Sequence, residues 1–440
     1  MPLTKVTYSM IDGAGFNVLD YGADPTGATD CSAQINATLA AADAAGGGIV
    51  YIPAGTYKAN IVHTYDYVSL LGAGQATVIA PTSGVCLEVS GITSGAGSII
   101  GDMYLSGVNG AITGLYVSGF SHGTFKDFWI RQVATGVLIN GDASTETKFA
   151  NLYISNVTAH GVQYLRTTTV DTGGVYFNTI HVTGSSAAIG VEFSSTIGAG
   201  QSRAFAFINT MILDARLNYG MYLKNTANFF VDQVWVTGTI ASKGMIYLDN
   251  IKDALFTQIW AQNSDAGGYN IEVQNSISDV TIEQLRSSGP GTAVQFVSSP
   301  TLLRSTISSW NNTATTITND ATSFASFARA APVTGFLNSG AQTTITIASD
   351  AITAASSRIV LLGEGGVADD LATINGGNTG DFLLLSNYSS PTYDITVKSG
   401  TGNIRLSGSA DIVLNDPNDM LLLVKRDTGA WAQVSFSSNA

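Results

Sequence analysis

Phe125-Lys126-Asp127-Phe128-Trp129-Ile130 is answered 24 residues later by Phe149-Ala150-Asn151-Leu152-Tyr153-Ile154, and then by Phe177-Asn178-Thr179-Ile180-His181-Val182. Each hexad is an apolar anchor, two mostly polar residues, an apolar residue, an exposed one and a second apolar one. The same pattern starts at Ile100, Ile208, Val231, Phe256 and, more weakly, Ile282, so successive anchors lie 25, 24, 28, 31, 23, 25 and 26 residues apart. A second short apolar run follows within each repeat, usually after a glycine, as in Gly114-Leu115-Tyr116-Val117, Gly190-Val191-Glu192-Phe193 and Gly220-Met221-Tyr222-Leu223. Two or three strands per repeat, with no helical periodicity, predict a stacked β-solenoid. The fold class is all-β.

Composition agrees. The 440 residues include 48 glycines and 9 prolines, only 12% are charged, and 45% are hydrophobic. That apolar content excludes a disordered chain. A net charge of −13 argues against nucleic acid as a partner, because phosphates demand a basic surface. No run of 18 apolar residues is present, so no membrane insertion is expected, and Met1–Met10 lacks the apolar core of a signal peptide. Cys31 and Cys86, the two cysteines, are expected to be buried free thiols.

Working outward from the repeats, residues 1–15 read as an N-terminal tether and 16–80 as a capping helix with the first coils. Residues 81–310 form the β-helix, 311–332 read as a linker, and 333–440 form a separate C-terminal β-module. The helix is expected over Cys31–Ala45, capped by Thr29 or Asp30 and stopped by Gly46-Gly47-Gly48. A solenoid needs such a cap, since its first coil otherwise exposes an open core and unpaired strand edges. Beyond residue 333, strands such as Arg358–Leu362 and Trp431–Ser437 alternate with Gly, Asn and Asp turns. They predict an antiparallel β-sandwich or a β-prism that serves trimerisation or glycan binding.

The run Val18-Leu19-Asp20-Tyr21-Gly22-Ala23, with Asp24, Thr29-Asp30, the alanine-rich helix and Ile52-Pro53-Ala54-Gly55-Thr56-Tyr57, resembles the opening of the pectate-lyase-like superfamily. The lead-in Lys5-Val6-Thr7-Tyr8-Ser9-Met10-Ile11 is similar to that of bacteriophage tailspikes and capsule depolymerases. This resemblance implies a right-handed parallel β-helix, a homotrimer attached to phage tail or baseplate proteins in the virion, and action on bacterial surface polysaccharide. No cofactor is expected. The superfamily holds hydrolases, lyases, esterases and isomerases, so the chemistry has to come from the residues.

Stacked coils place equivalent residues in rows. The exposed step of the hexads gives Tyr104, Trp129, Tyr153, His181, Ile212, Trp235, Trp260 and Arg286. An outward row this aromatic is covered either by sugar rings or by neighbouring subunits. Trp129, Tyr153, His181, Trp235 and Trp260 are therefore candidate substrate contacts. The amides Asn151, Asn178, Asn209, Gln233, Gln258 and Gln284 are expected to form ladders. The two long anchor intervals place extra loop at Thr167–Gly174 and Ser195–Ala204, and these loops bring Asp171 and Arg203 to the rim of a groove. Arg203, Arg216 and Lys224 are candidates for holding an acidic sugar.

Glycoside hydrolysis needs two carboxyl groups flanking one bond. The candidates are Asp214, Glu192, Asp232 and Glu272, with Asp214 paired to Glu192 or Asp232 as the leading expectation. No metal-ligating constellation stands out. Hydrolysis leads over a lyase reaction because acids outnumber paired cations around the middle coils; a non-catalytic glycan-binding fibre is the reading from a different class.

Overall fold

The computed structural model describes residues 15–93, 95, 97–107, 111–141, 146–168, 174–184, 188–196, 203–214, 218–303, 305–310, 317–318, 327–330, 342–354, 356–388 and 394–439. The chain divides into two compact units, Met1–Pro332 and Val333–Ala440.

The first unit is a parallel β-helix. The anchors form one continuous row in register, Phe16, Val50, Leu70, Ile100, Phe125, Phe149, Phe177, Ile208, Val231, Phe256, Ile282, Ile307 and Phe327, which makes about thirteen coils. Parallel strands stack at the inter-strand spacing, so a Phe in one coil meets a Phe in the next. Phe125, Phe149 and Phe177 stack at centroid distances of 5.0 and 4.8 Å, both with 13° between ring planes. Their burial is essentially complete. Each such side chain contributes roughly 1.5–3 kcal/mol through burial alone.

From Tyr219 onward the strands are long, as in Tyr219–Gly238, Gly244–Asn263 and Tyr269–Ser288. Each serves two ladders because it bends in its middle. Asn225, Asn250 and Asn275 take φ values of 52°, 53° and 55°, and Asn228, Asp253 and Asp279 take 62°, 52° and 56°. Asn and Asp tolerate this left-handed conformation better than other side chains. The corner is tied from coil to coil, with Asn250 Nδ2 donating to Asn225 Oδ1 at 3.0 Å and Asn225 Nδ2 to the Ser195 carbonyl at 3.0 Å. Residues before the corner form the second-strand sheet; those after it continue the anchor row and form the first-strand sheet.

The cap is an α-helix over Ser32–Ala44 whose Ile35, Leu39 and Ala42 are buried. The N-cap position is Cys31, inside the expected helix bounds, and makes no side-chain cap bond; Asp30, one of the two expected caps, instead accepts from the Ser32 amide at 2.9 Å and its hydroxyl at 2.6 Å. The chain leaves the helix through Gly46, Gly47 and Gly48 at φ of 88°, 113° and 147°. Cys31 and Cys86 are free and buried.

Two expectations are corrected. The segment 311–332 is not simply a linker: Ile317–Thr318 pairs with Val294–Gln295, and Phe327–Ala330 pairs with Ile307–Trp310, so coils run on past Trp310. A parallel ladder bonds through backbone, so strands this short persist in Thr- and Ala-rich sequence without an apolar signature. The C-terminal unit is a sheet module, but its pairing is mixed rather than antiparallel. Thr343–Thr346, Arg358–Leu362 and Phe382–Asn387 pair in parallel, as do Asp369–Leu371 and Ile395–Val397. Antiparallel pairing joins Phe382–Asn387 to Met420–Lys425, Ile395–Val397 to Ile412–Leu414, and Met420–Lys425 to Trp431–Ser437. Alternation of apolar and polar residues reports a half-buried strand and not its direction.

Phe149→Ala opens a void in the middle of the stacked row and is expected to cost about 3–5 kcal/mol. Chemical denaturation of the first unit's transition measures this; a loss below 1 kcal/mol contradicts a continuous close-packed row.

Candidate functional site

The outward positions of the second-strand sheet form the row Glu88, Tyr116, Leu138, Gln163, Glu192, Tyr222, Tyr247, Glu272 and Gln295. Two residues further along each strand runs a neighbouring row, in which Ser194, Lys224, Asp249 and Gln274 are consecutive. Ionisable side chains concentrate where these rows run side by side. Glu192, Asp249 and Glu272 point outward yet are only 9%, 2% and 6% exposed. Buried carboxylates require hydrogen-bonding partners.

Each has them. Glu192 Oε2 lies 2.8 Å from His160 Nε2 and accepts from Gln163 Nε2 at 2.9 Å, while its Oε1 accepts from Ser194 Oγ at 2.7 Å. Burial opposes ionisation of Glu192, but the hydrogen bonds from His160, Ser194 and Gln163 outweigh it and hold the carboxyl below the usual carboxylate range. Asp249 Oδ2 is 3.5 Å from Lys224 Nζ and accepts from the Tyr247 hydroxyl at 3.3 Å, and Asn275 Nδ2 donates to Oδ1 at 2.5 Å. Glu272 Oε2 accepts from the Gly244 amide at 2.7 Å, and Oε1 from Gln274 Nε2 at 2.8 Å. Gly244 is required there, because a Cβ at that position would sit 2.5 Å from Glu272 Cβ. Tyr247 Oη also reaches Gln274 Oε1 at 3.1 Å, so Asp249, Tyr247, Gln274 and Glu272 form one connected network.

Tyr222 and Tyr247 stack face to face at 4.6 Å and 4° between Glu192 and Glu272 in the row. Tyr219 packs beside them, with Lys243 Nζ 5.1 Å from its ring centroid and 2.8 Å from Asn218 Oδ1. Burial, with Glu272 and Tyr222 nearby, pushes the Tyr219 phenol up to about 12. Burial also raises Tyr222, and burial followed by the charge of Asp249 raises Tyr247. All three are phenols at neutral pH. They can donate a hydrogen bond or a proton; they do not stand ready as phenolate bases.

The sequence candidates divide between two faces. Glu192 and Glu272 belong to this row, three steps apart, or about 14 Å at the inter-strand spacing. Asp214 and Asp232 stand exposed on the first-strand sheet, Asp214 accepting from Thr237 Oγ1 at 2.9 Å. The structure therefore does not bring Asp214 to Glu192. Nor does it join Asp214 to Asp232, since Asp214 pairs with Thr237, five residues along the strand from Asp232. Trp129, Tyr153, His181, Trp235 and Trp260 are in register on that same first-strand sheet. His181 meets Tyr153 edge-on at 5.0 Å, Trp235 lies 3.9 Å from Trp260, and Arg286 sits 5.2 Å over the Trp260 ring. Arg203 is aligned with Ala227 in the ladder. Asp171 and Arg216 lie outside the described residues, as do most of the two long loops.

Sequence reasoning missed Asp249, Tyr247, Tyr222 and His160. A signal was available. Extending the row argument from the first strand of each coil to the second, by aligning the apolar positions Val191, Met221, Ile246 and Ile271, would have aligned Glu192, Tyr222, Tyr247 and Glu272.

Comparison with known proteins bears on the fold. The mannuronan C5-epimerase AlgE3 of Azotobacter vinelandii is 40% identical over 90 residues, which is 18% of this chain and 5% of that protein's length. This chain thus spans only a small part of the curated relatives it matches. The A-module of Azotobacter vinelandii mannuronan C-5 epimerase AlgE6 superposes with a TM-score of 0.50 at 18% identity, covering 72% of this chain and 100% of the module. Tailspike protein 2 of bacteriophage CBA120 gives a TM-score of 0.42 at 13% identity, covering 68% of this chain and 42% of the tailspike. The family model for rhamnogalacturonase A/epimerase, pectate lyase-like proteins matches residues 15–245. That match takes in more than half of the sequence and all but the last turns of the cap-to-middle solenoid, and the chain belongs to the rhamnogalacturonase A/epimerase, pectate lyase-like family.

Proposed function

We propose that this chain hydrolyses a glycosidic bond of a bacterial surface polysaccharide on its second-strand face, with Asp249 and Glu272 as the carboxyl pair. The observation that carries this reading is the pair itself: two buried carboxylates in neighbouring rows, linked through Tyr247 and Gln274. One row apart and two residues along, their Cα atoms are about 8 Å from each other. One carboxylic acid would protonate the leaving oxygen as the glycosidic C–O bond breaks. The other, as carboxylate, would take a proton from the water that forms the new C–O bond. Inversion at the anomeric carbon is the outcome if the two carboxyl groups stand about 6.5–9.5 Å apart, with room for that water. Glu192, held ionised against His160, is suited to positioning a sugar hydroxyl rather than to donating a proton.

A lyase would need a free cation to neutralise a uronate and a base to remove the adjacent proton. Lys224 is engaged by Asp249 and Lys243 by Asn218, and the three phenols are held protonated, which favours hydrolysis. The tail-spike reading, with a homotrimer on phage tail proteins in the virion, draws its support from the N-terminal motifs.

Asp249→Asn and Glu272→Gln are each expected to lower turnover by about 10²–10⁴-fold while glycan binding persists. Chain-length analysis against purified capsular and O-antigen polysaccharides measures this, with ultraviolet absorbance followed in parallel. Shortening without an absorbance rise is expected; a rise establishes an unsaturated product and a lyase.

Glu192 also gives a pH signature. Its carboxyl is depressed in the folded state, so its contribution to stability is present above the unfolded-state value and is lost as pH falls through the folded one. The stability difference between wild type and Glu192→Gln should therefore shrink on acidification below the ordinary carboxylate range. A difference that stays constant there contradicts the hydrogen-bonded, ionised Glu192.

A further inference from the structure

We propose that the outer face of the first-strand sheet is a second, non-catalytic site that holds a low-charge, polyhydroxylated glycan segment. This does not depend on hydrolysis occurring at the other face.

Three kinds of row run side by side there. Tyr176, Phe207 and Phe230 are 36%, 38% and 38% exposed. They stack at 5.1 Å in both steps, with 7° and 9° between planes. Their faces cover one another, so their edges face solvent and form an apolar wall. Next to them run two polar rows: in the first Asn209 Nδ2 donates to Asn178 Oδ1 at 3.1 Å, and in the second Gln258 Nε2 donates to Gln284 Oε1 at 3.2 Å. The Trp235–Trp260 row lies beyond the amides, with Trp235 45% exposed. Grooves of about 530 and 420 Å³ follow these rows, the first along the Phe207 wall and the second between the amides and the tryptophans.

The amides decide between sugar and protein as the occupant. A primary amide carries two donors and two acceptor lone pairs, and the ladder bond between neighbours uses one of each. The remainder points outward. Under a dry subunit contact these groups would be left unsatisfied, at a cost of about 1–3 kcal/mol each. A glycan supplies hydroxyls to the amides and C–H surface to the aromatic edges within the same groove.

The test uses the full-length chain and an array of purified bacterial capsular and O-antigen polysaccharides, with binding read separately from chain shortening. Phe207→Ala with Phe230→Ala is expected to weaken binding of the recognised polysaccharide by about tenfold or more. Turnover of short oligosaccharides should stay unchanged. Gln258→Ala, an exposed change that leaves the walls intact, should weaken binding in the same direction, which covers a folding failure of the double variant. Asp249→Asn should bind as wild type does. Variants that bind like wild type, or an array in which nothing binds, overturn the proposal. So does light scattering in which wild type is oligomeric and the double variant falls apart, since the face is then a subunit contact. Absence of any shortened product, with binding lost in the variants, would defeat the hydrolase reading alone.

Discussion

One coil resting on the next at the inter-strand spacing is the constraint from which the rest of this molecule follows. Backbone hydrogen bonds between coils fix both the spacing and the register, so a residue in one coil is held against its equivalent in the next. The row from Val50 to Ile307 is this constraint expressed inward, where only apolar side chains are tolerated. Expressed outward, it makes rows of whatever the sequence places there. Function on such a scaffold is written in rows, and a site is a place where adjacent rows hold complementary groups.

The two sheets use this differently. The first-strand sheet leaves its aromatic and amide rows open to solvent, and its carboxylates Asp214 and Asp232 are exposed. The second-strand sheet draws Glu192, Asp249 and Glu272 out of water and compensates each with hydrogen bonds from its own or neighbouring coils. Such compensation costs conformational freedom and gains fixed geometry. The αL asparagine corners sit between the sheets and help set that geometry, since Asn275 both turns the chain and donates to Asp249.

The coils, the cap, the buried thiols and the aromatic row were legible because each rests on a local rule. Phe149 must pack on its coil neighbours, Asp30 must satisfy the first amides of a helix, and Trp129 must stand outward if Phe128 and Ile130 stand inward. The amide ladder was legible only in part: Asn178–Asn209 and Gln258–Gln284 bond in two different rows, while Asn151 donates to Asp127. The carboxyl pair was not, because Asp249 gains its meaning from Tyr247, Lys224 and Asn275, which lie in three different coils. A motif search sees neighbours in sequence, whereas these are neighbours across the stack. Strand direction beyond Val333 was hidden for a related reason: the pattern within one strand carries nothing about its partner.

A stacked scaffold also restricts the Cα separations from which a carboxyl pair can be built. Neighbours in one row stand about 4.8 Å apart, next-nearest about twice that, and a diagonal of one row and two residues gives about 8 Å. A carboxylate nucleophile assisted by an acid wants about 5–5.5 Å, while an activated water wants about 6.5–9.5 Å. In the row from Glu192 to Glu272, the two tyrosines occupy the positions that would have made a same-row acid pair. Two buried like charges at that distance would also repel, and one would be forced to stay protonated. On the diagonal from Asp249 to Glu272, Tyr247 and Gln274 link the two carboxyl groups. The spacing of the coils thus sets the backbone separation of the proposed pair before any substrate is bound.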